Sequence, residues 1–318
     1  MPANVPVNRG FARFSWAVLA YNFAVIVWGA FVRASGSGAG CGSHWPDCNG
    51  EVVPRTESVA TMIELTHRAT SGLALLAVVV QVVWAFRAYP VGDRVRRAAA
   101  TSMFFMLTEA ALGAGIVLLQ LVADDASAAR AGWIGMHLVN TFLLVAALGL
   151  AAMWASTAER TRLDAGDGLG AGLAVFAGAL VLTGVAGAIT ALGDTLFPSR
   201  SLAEGLAADT APGAHFLVRL RVIHPVVATA TSLLLVLGGA FVSMQRPAPR
   251  VRAAARALSG LLVVQIGMGL LNVLLLAPTW LQLLHLLLAD LTWLALVALG
   301  ANALVTPRAV RAKLRASE

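Results

Sequence analysis

AGWIGMHLVNTFLLVAALGLAAMWASTA, residues 131–158, contains no Asp, Glu, Lys or Arg. About 20 apolar residues suffice to cross a bilayer core as a helix, so this stretch spans with residues to spare. Its one ionisable side chain is His137, near its start. An ionisable group inside a membrane is costly and by default marks function.

The same pattern repeats outward in both directions. Charge-free runs occupy 14–32, 69–86, 168–193 and 222–245, and 98–123 is interrupted only by Glu109. The run 257–289 is too long for one span; Pro278 with Thr279 divides it, and its second part continues past Asp290 to about residue 305. The expectation is an all-α membrane protein of eight transmembrane helices. A composition of 58% hydrophobic and 12% charged residues agrees, since soluble domains carry about 25% charged residues. The short connections leave no room for a separate soluble domain.

Charge placement sets the expected orientation. The N-terminus and the even-numbered turns hold 16 of the 23 Lys and Arg, from Arg9 and Arg13 through clusters at 94–97, 160–162 and 250–256 to 308–315. Positive residues favour the cytoplasmic side. Both termini are therefore expected in the cytoplasm of a bacterial-type cell membrane. The net charge of +7 follows from this bias and calls for no nucleic-acid partner. The first span has no small-residue cleavage site and is expected to be retained.

The chain echoes itself. His67 and His224 open the second and sixth spans, and His137 and His285, each followed by Leu, open the fourth and eighth. Gly29-Ala30 resembles Gly187-Ala188, and Glu109-x-x-x-Gly113 matches Gln265-x-x-x-Gly269. Offsets of 157 from His67 to His224, 156 from Glu109 to Gln265 and 148 from His137 to His285 suggest two tandem four-helix bundles, 1–160 and 161–318, related by a pseudo-two-fold repeat. Both halves then point the same way.

Four imidazoles at matching outer depth on alternate helices suit axial ligation of two haems, one pair per half. Zinc would want three or four clustered ligands with Cys or carboxylate, and a single such His is often only an interfacial hydrogen-bonding residue. His44 and His215, in outward loops without repeat partners, read as ordinary loop residues. Glu64 lies three residues before His67, on its helical face, and is a candidate proton acceptor; the alternative is pairing with Arg68 or Arg55. Its second-half equivalent is Arg221, with Pro225 where Arg68 follows the first histidine. Arg33, Arg68, Arg219 and Arg221 could pair with haem propionates or snorkel to lipid head groups. Glu109 and Asp290 are the remaining intramembrane carboxylates and receive no catalytic role; Glu109 reads either as a second proton relay or as a hydrogen-bonding partner across helices. Gly113, Gly115, Gly267 and Gly269 read as helix-packing positions. Cys41 and Cys48, the only cysteines, lie in the outward loop 34–60. They are either a structural staple or a redox-active pair.

The loop Val32-Arg33-Ala34-Ser35-Gly36-Ser37-Gly38-Ala39-Gly40-Cys41, followed by Trp45-Pro46-Asp47-Cys48-Asn49-Gly50, resembles the first loop of heme A synthases. Glu64-Leu65-Thr66-His67-Arg68 is similar to that family's helix 2 signature. The resemblance covers nearly the whole chain. It implies oxidation of the C8 methyl of haem O to a formyl group, giving haem A for cytochrome oxidase. It also implies haem O ligation by His67 and His137, a resident haem b (iron) on His224 and His285, a functional carboxylate at Glu64 and paired loop cysteines at Cys41 and Cys48. Haem O synthase, cytochrome oxidase assembly factors and a second copy of the chain are the expected partners, besides lipid. The competing reading is a non-enzymatic di-haem electron carrier of the cytochrome b type. A haem transporter is disfavoured, because paired mid-membrane Gly/Pro interruptions are not evident. Prenyl transfer is disfavoured by the lack of paired Asp-rich magnesium motifs.

Overall fold

Charge-free runs become helices because a backbone in hydrocarbon must satisfy its own hydrogen bonds. The structure, a computed structural model, describes residues 7–52, 54, 58–158 and 168–305. Arg55, the basic groups at 160–162 and 308–315, and the expected boundary between 160 and 161 lie outside the described residues. The long helices are α1 (Arg9–Ala34), α2 (Val59–Ala88), α3 (Arg94–Leu118), α4 (Ala128–Ala155) and α5 (Leu169–Leu196). Two short helices follow, α6 (Leu202–Thr210) and α7 (Phe216–Arg219), then α8 (Ile223–Gln245), α9 (Pro249–Leu274) and α10 (Thr279–Ala303). Among the described residues eight helical segments are long and apolar enough to cross a membrane, with α7 and α8 counted together as Phe216–Gln245.

The ends are set by local chemistry. Asn8, Ser58, Asp93 and Ser127 accept backbone N–H groups at the starts of α1, α2, α3 and α4, satisfying donors that the first helical turn leaves open. Proline occupies the first position of α9, where its missing N–H costs nothing. The division at Pro278 is where the sequence places it. Leu276 and Ala277 take left-handed conformations there, with φ of 58° and 50°, and α10 starts at the next residue but one.

Helices α1 to α4 contact one another in the cycle α1–α2–α3–α4–α1, and α5, α8, α9 and α10 do so in the cycle α5–α8–α9–α10–α5. The two sets meet where α1 and α4 face α5 and α10. Helix α4 is the most enclosed, with 61% of its apolar window buried against 11–33% for the others, so it is the central post. Across this junction the Trp293 indole N–H donates to the Phe142 carbonyl at 2.6 Å, and the two rings stack with centroids 5.2 Å apart. Val78, Leu148, Leu235, Leu258 and Leu299 belong to one apolar cluster that runs through both sets. The exposed faces carry Val79, Val80, Val83, Leu233 and Leu237, as helices that meet acyl chains do.

Two intramembrane groups are placed only by the fold. Asp290 is fully buried on α10, with neither carboxyl oxygen hydrogen-bonded among the described residues. Gly267 has nothing within 4 Å of where a side chain would begin, whereas a Cβ on Gly115 would strike Trp133. Gly115 is thus a close-packing position and Gly267 is not.

Candidate functional site

The four membrane histidines share one end of the bundle, where α2, α4, α8 and α10 begin. His67 follows the first residue of α2 by eight positions and His137 that of α4 by nine. His285 follows the first residue of α10 by six. His224 is the second residue of α8, but α7 and the 3-10 turn Leu220–Val222 lead into it without a break. Counted from Phe216 it lies eight positions in, matching His67. At 3.6 residues per turn all four imidazoles sit about two turns from a helical start.

All four are half-buried, and in all four the same atom, Nδ1, is buried without a hydrogen-bond partner among the described residues. His224 and His285 face each other with ring centroids 6.5 Å apart and planes at 90°. A metal–imidazole bond is about 2 Å, so two imidazoles bound from opposite faces of one metal ion hold their centroids about 6 Å apart. The separation therefore fits a single iron between them. His67 and His137 lie within electrostatic range of each other. Among the described residues no group of three or more His, Cys, Asp or Glu could hold a metal ion.

The second histidine of each set has a polar neighbour on the preceding long helix. Glu109 Oε1 stands 3.5 Å from His137 Nδ1, beyond hydrogen-bonding geometry. That carboxylate is gripped by α4 itself, accepting from Asn140 Nδ2 at 2.5 Å and from the Thr141 hydroxyl. Gln265 Nε2 lies 3.3 Å from His285 Nε2 and donates to the His285 carbonyl at 3.1 Å. Ligation through that Nε2 would exchange the Gln265 contact for the metal.

The residue three before the first histidine has a different partner set in each case. Glu64, 3% exposed, accepts the Cys41 backbone N–H at 2.9 Å and Arg68 Nη2 at 2.5 Å. Arg68 also donates to the carbonyls of His44 and Asp47, and the Thr61 hydroxyl donates to Gly40 O at 2.7 Å. Cys41 and Cys48 form a disulfide, so this pair of charges clasps the disulfide loop onto α2. Arg221 pairs with Asp194 at 3.0 Å and Asp209 at 3.7 Å and donates to the carbonyls of Gly193 and Phe197. It holds the α5–α8 connection as Glu64 holds the first loop.

The other two arginines are also engaged by protein. Arg33 donates to Ala191 O at 2.7 Å, Thr195 Oγ1 at 2.8 Å and Gln282 Oε1 at 3.1 Å, tying α1 to α5 and α10. Arg219 is exposed and donates to Pro212 O at 2.7 Å. His215 caps α7, its Nδ1 accepting the Leu217 N–H at 3.3 Å, and lies between Phe197 and Phe216. The His44 carbonyl accepts from Arg68. Both loop histidines thus serve the loops. A cavity of about 460 Å³ beside the α5–α8 connection, lined by Phe197, Glu204, His215 and Arg221, contains none of the four membrane histidines.

Glu109 is a hydrogen-bonding partner across helices, one of the two roles its sequence position offers, and Glu109 and Gln265 align across the two halves at nearly the spacing of the histidines. That shared spacing was the available signal. The Cys41–Glu64 bond had none, because it joins a backbone N–H to a side chain 23 residues away.

Residues 12–297 match a family model described as cytochrome oxidase assembly protein. A Thermus thermophilus protein named protoheme IX farnesyltransferase is 50% identical over 278 residues, covering 86% of this chain and 45% of that protein. A heme A synthase of Exiguobacterium sp. is 36% identical over 114 residues, 36% of this chain and 38% of its own length. One of Lysinibacillus sphaericus is 33% identical over 111 residues, 35% of this chain and 36% of its own length. The chain thus spans less than half the length of each of these relatives.

Proposed function

Because this chain belongs to the family of cytochrome oxidase assembly proteins and is similar to heme A synthases, we propose that it oxidises the C8 methyl of haem O to a formyl group, yielding haem A. In this reading the chain is two tandem four-helix halves related by a pseudo-two-fold repeat. His67 and His137 hold the haem O substrate, and His224 and His285 hold a resident haem b. The observation that carries it is the set of four half-buried imidazoles with identical unpartnered Nδ1 atoms, one pair of them 6.5 Å apart.

Converting a methyl to a formyl group exchanges two hydrogens for one oxygen atom, drawn from water or dioxygen, and releases protons to a base and electrons to an external acceptor; haem b, when bound, would carry those electrons. The protein's own residues orient and exclude water. Glu64, fixed by two donors and three residues before His67, takes up protons released at the substrate. Glu109 orients His137. Of the four arginines, Arg219 has one carbonyl partner among the described residues and so has the most donors left for a propionate, while Arg68 and Arg221 hold the surrounding loops and Arg33 ties α1 to α5 and α10. Both termini lie in the cytoplasm and both haem sites toward the outer leaflet, following the positive-residue bias. Haem O synthase, cytochrome oxidase assembly factors and a second copy of the chain are the proposed partners.

Prenyl transfer, which the printed name of the Thermus relative carries, has no support in these residues. The sequence lacks paired Asp-rich magnesium motifs, and the match covers 45% of that relative, leaving most of it unaligned.

The test is to express the chain together with a haem O synthase and separate the extracted haems by chromatography. Haem A or its hydroxylated precursor is expected, and both vanish in Glu64→Ala and His67→Ala. Recovery of unaltered haem O with haem b would instead support the electron carrier. His224→Ala and His285→Ala should each abolish the low-spin b-type spectrum.

A further inference from the structure

Each of the four histidines lies against a glycine on a neighbouring helix, and the fit is graded. A methyl group built on Gly29 of α1 would stand 2.8 Å from Cε1 and 3.0 Å from Nε2 of His67. One on Gly187 of α5 would stand 2.9 Å from Cε1 of His224 and 3.4 Å from each ring nitrogen. Real Cβ atoms do not come that close, so either substitution forces the ring to move. The same test gives 3.4 Å for Gly269 against His285 and 4.0 Å for Gly113 against His137, which is tight in the first case and ordinary contact in the second.

The three nearest atoms at Gly29 all belong to the His67 ring, and those at Gly187 all belong to the His224 ring. These two glycines therefore make room for an imidazole rather than for a neighbouring backbone. Elsewhere the space serves other groups: Leu294 at Gly149, Phe142 at Gly184, the Leu217 carbonyl at Gly193. Helix propensity alone would favour alanine at 29 and 187, so glycine there runs against the local preference. His137 and His285 each have a polar side chain beside them from the helix that carries their glycine, Glu109 for His137 and Gln265 for His285.

We infer that Gly29 and Gly187 are positioning residues that fix the ring planes of His67 and His224 by close backbone approach. Each half then holds its porphyrin between one imidazole seated on a helix backbone and one steered by a polar side chain. The inference deepens the haem reading above and rests on it for its functional meaning. In the substrate half, the seated ligand is the fixed reference, and His137 is the ligand free to adjust as substrate enters and leaves.

The experiment uses the full chain purified from membranes and loaded with protohaem. Gly187→Ala should lose or shift the low-spin signal of the C-terminal site in electron paramagnetic resonance, which reads the relative tilt of two axial imidazoles. Gly29→Ala should weaken protohaem binding at the N-terminal site by tenfold or more in a titration. Gly267→Ala, the same change on a membrane helix with nothing within 4 Å, should alter neither, and Gly113→Ala should resemble it. Gly29→Ala and Gly187→Ala variants indistinguishable from Gly267→Ala would overturn the inference. Should either variant accumulate poorly, thermal unfolding of Gly187→Ala in the His224→Ala background decides. With the ring gone the added methyl has nothing to strike, so the deficit should disappear. A deficit of equal size in both backgrounds refutes the seat. That coupling can be measured without haem, so a wild-type chain that binds no haem would sink the functional reading and leave the seat to be judged separately.

Discussion

The backbone N–H of Cys41 donates to Oε2 of Glu64 at 2.9 Å, while Oε1 of the same carboxylate takes Arg68. One side chain thus faces both the disulfide loop and the helix that carries His67. A catalytic role and a clasp are compatible here, because fixing a carboxylate by two donors is also how a proton acceptor is oriented.

Glu64→Ala removes the clasp and leaves Arg68 without its carboxylate. Hydrogen bonds to charged groups contribute about 1.5–3 kcal/mol each, so the loop should loosen locally while α2 stays helical. Amide exchange at Cys41 and Asn49 is expected to accelerate by tenfold or more, with helix amides unchanged. Unchanged exchange at Cys41 would show that the bond holds nothing.

The disulfide has help. Arg68, Thr61 and Glu64 all pin the loop independently of it, whereas closing so short a ring stabilises by about 2–3 kcal/mol. The double variant Cys41→Ser with Cys48→Ser should therefore keep its loop, read as unchanged amide exchange at position 41 and normal accumulation. Haem extraction from the same sample then reports on thiol chemistry alone: full conversion of haem O leaves a staple, and lost conversion with an intact loop identifies a redox pair.

Glu109 is held by Asn140 and Thr141 beside His137. Outer-sphere partners of metal-bound histidines typically matter by about 10- to 100-fold in affinity or activity. Glu109→Gln gives the first half the amide that Gln265 gives the second, and haem O conversion should fall by about tenfold or more while the spectrum of the C-terminal site is retained. Equal conversion by wild type and variant in a timed haem extraction would remove Glu109 from the site.

Arg33 bridges α1 to α5 and α10 through three acceptors. Arg33→Ala should destabilise the junction between the two helix sets by several kcal/mol, at about 1.5–3 kcal/mol per bond from a charged donor, measured as a lowered thermal unfolding midpoint in detergent. Haem content per folded chain should hold. Loss of haem with an unchanged midpoint would reverse the assignment and make Arg33 a propionate partner.

The sequence by itself determined the eight spans, the break at Pro278, and the histidines and cysteines as the residues to watch. These follow from local quantities: whether some twenty consecutive residues tolerate hydrocarbon, and whether a proline can continue a helix. Only the tertiary structure decided that Gly29 and Gly187 face imidazole rings, that Gly267 faces nothing, that Arg33 crosses to helices more than 150 residues away, and that Asp290 is sealed from solvent. It also decided that α7 runs into α8, so that His224, like His67, lies eight positions from a helical start. Such contacts depend on the rotation of each helix about its axis and on which neighbour it packs against. In a chain apolar on nearly every face, hydrophobic periodicity carries little record of either.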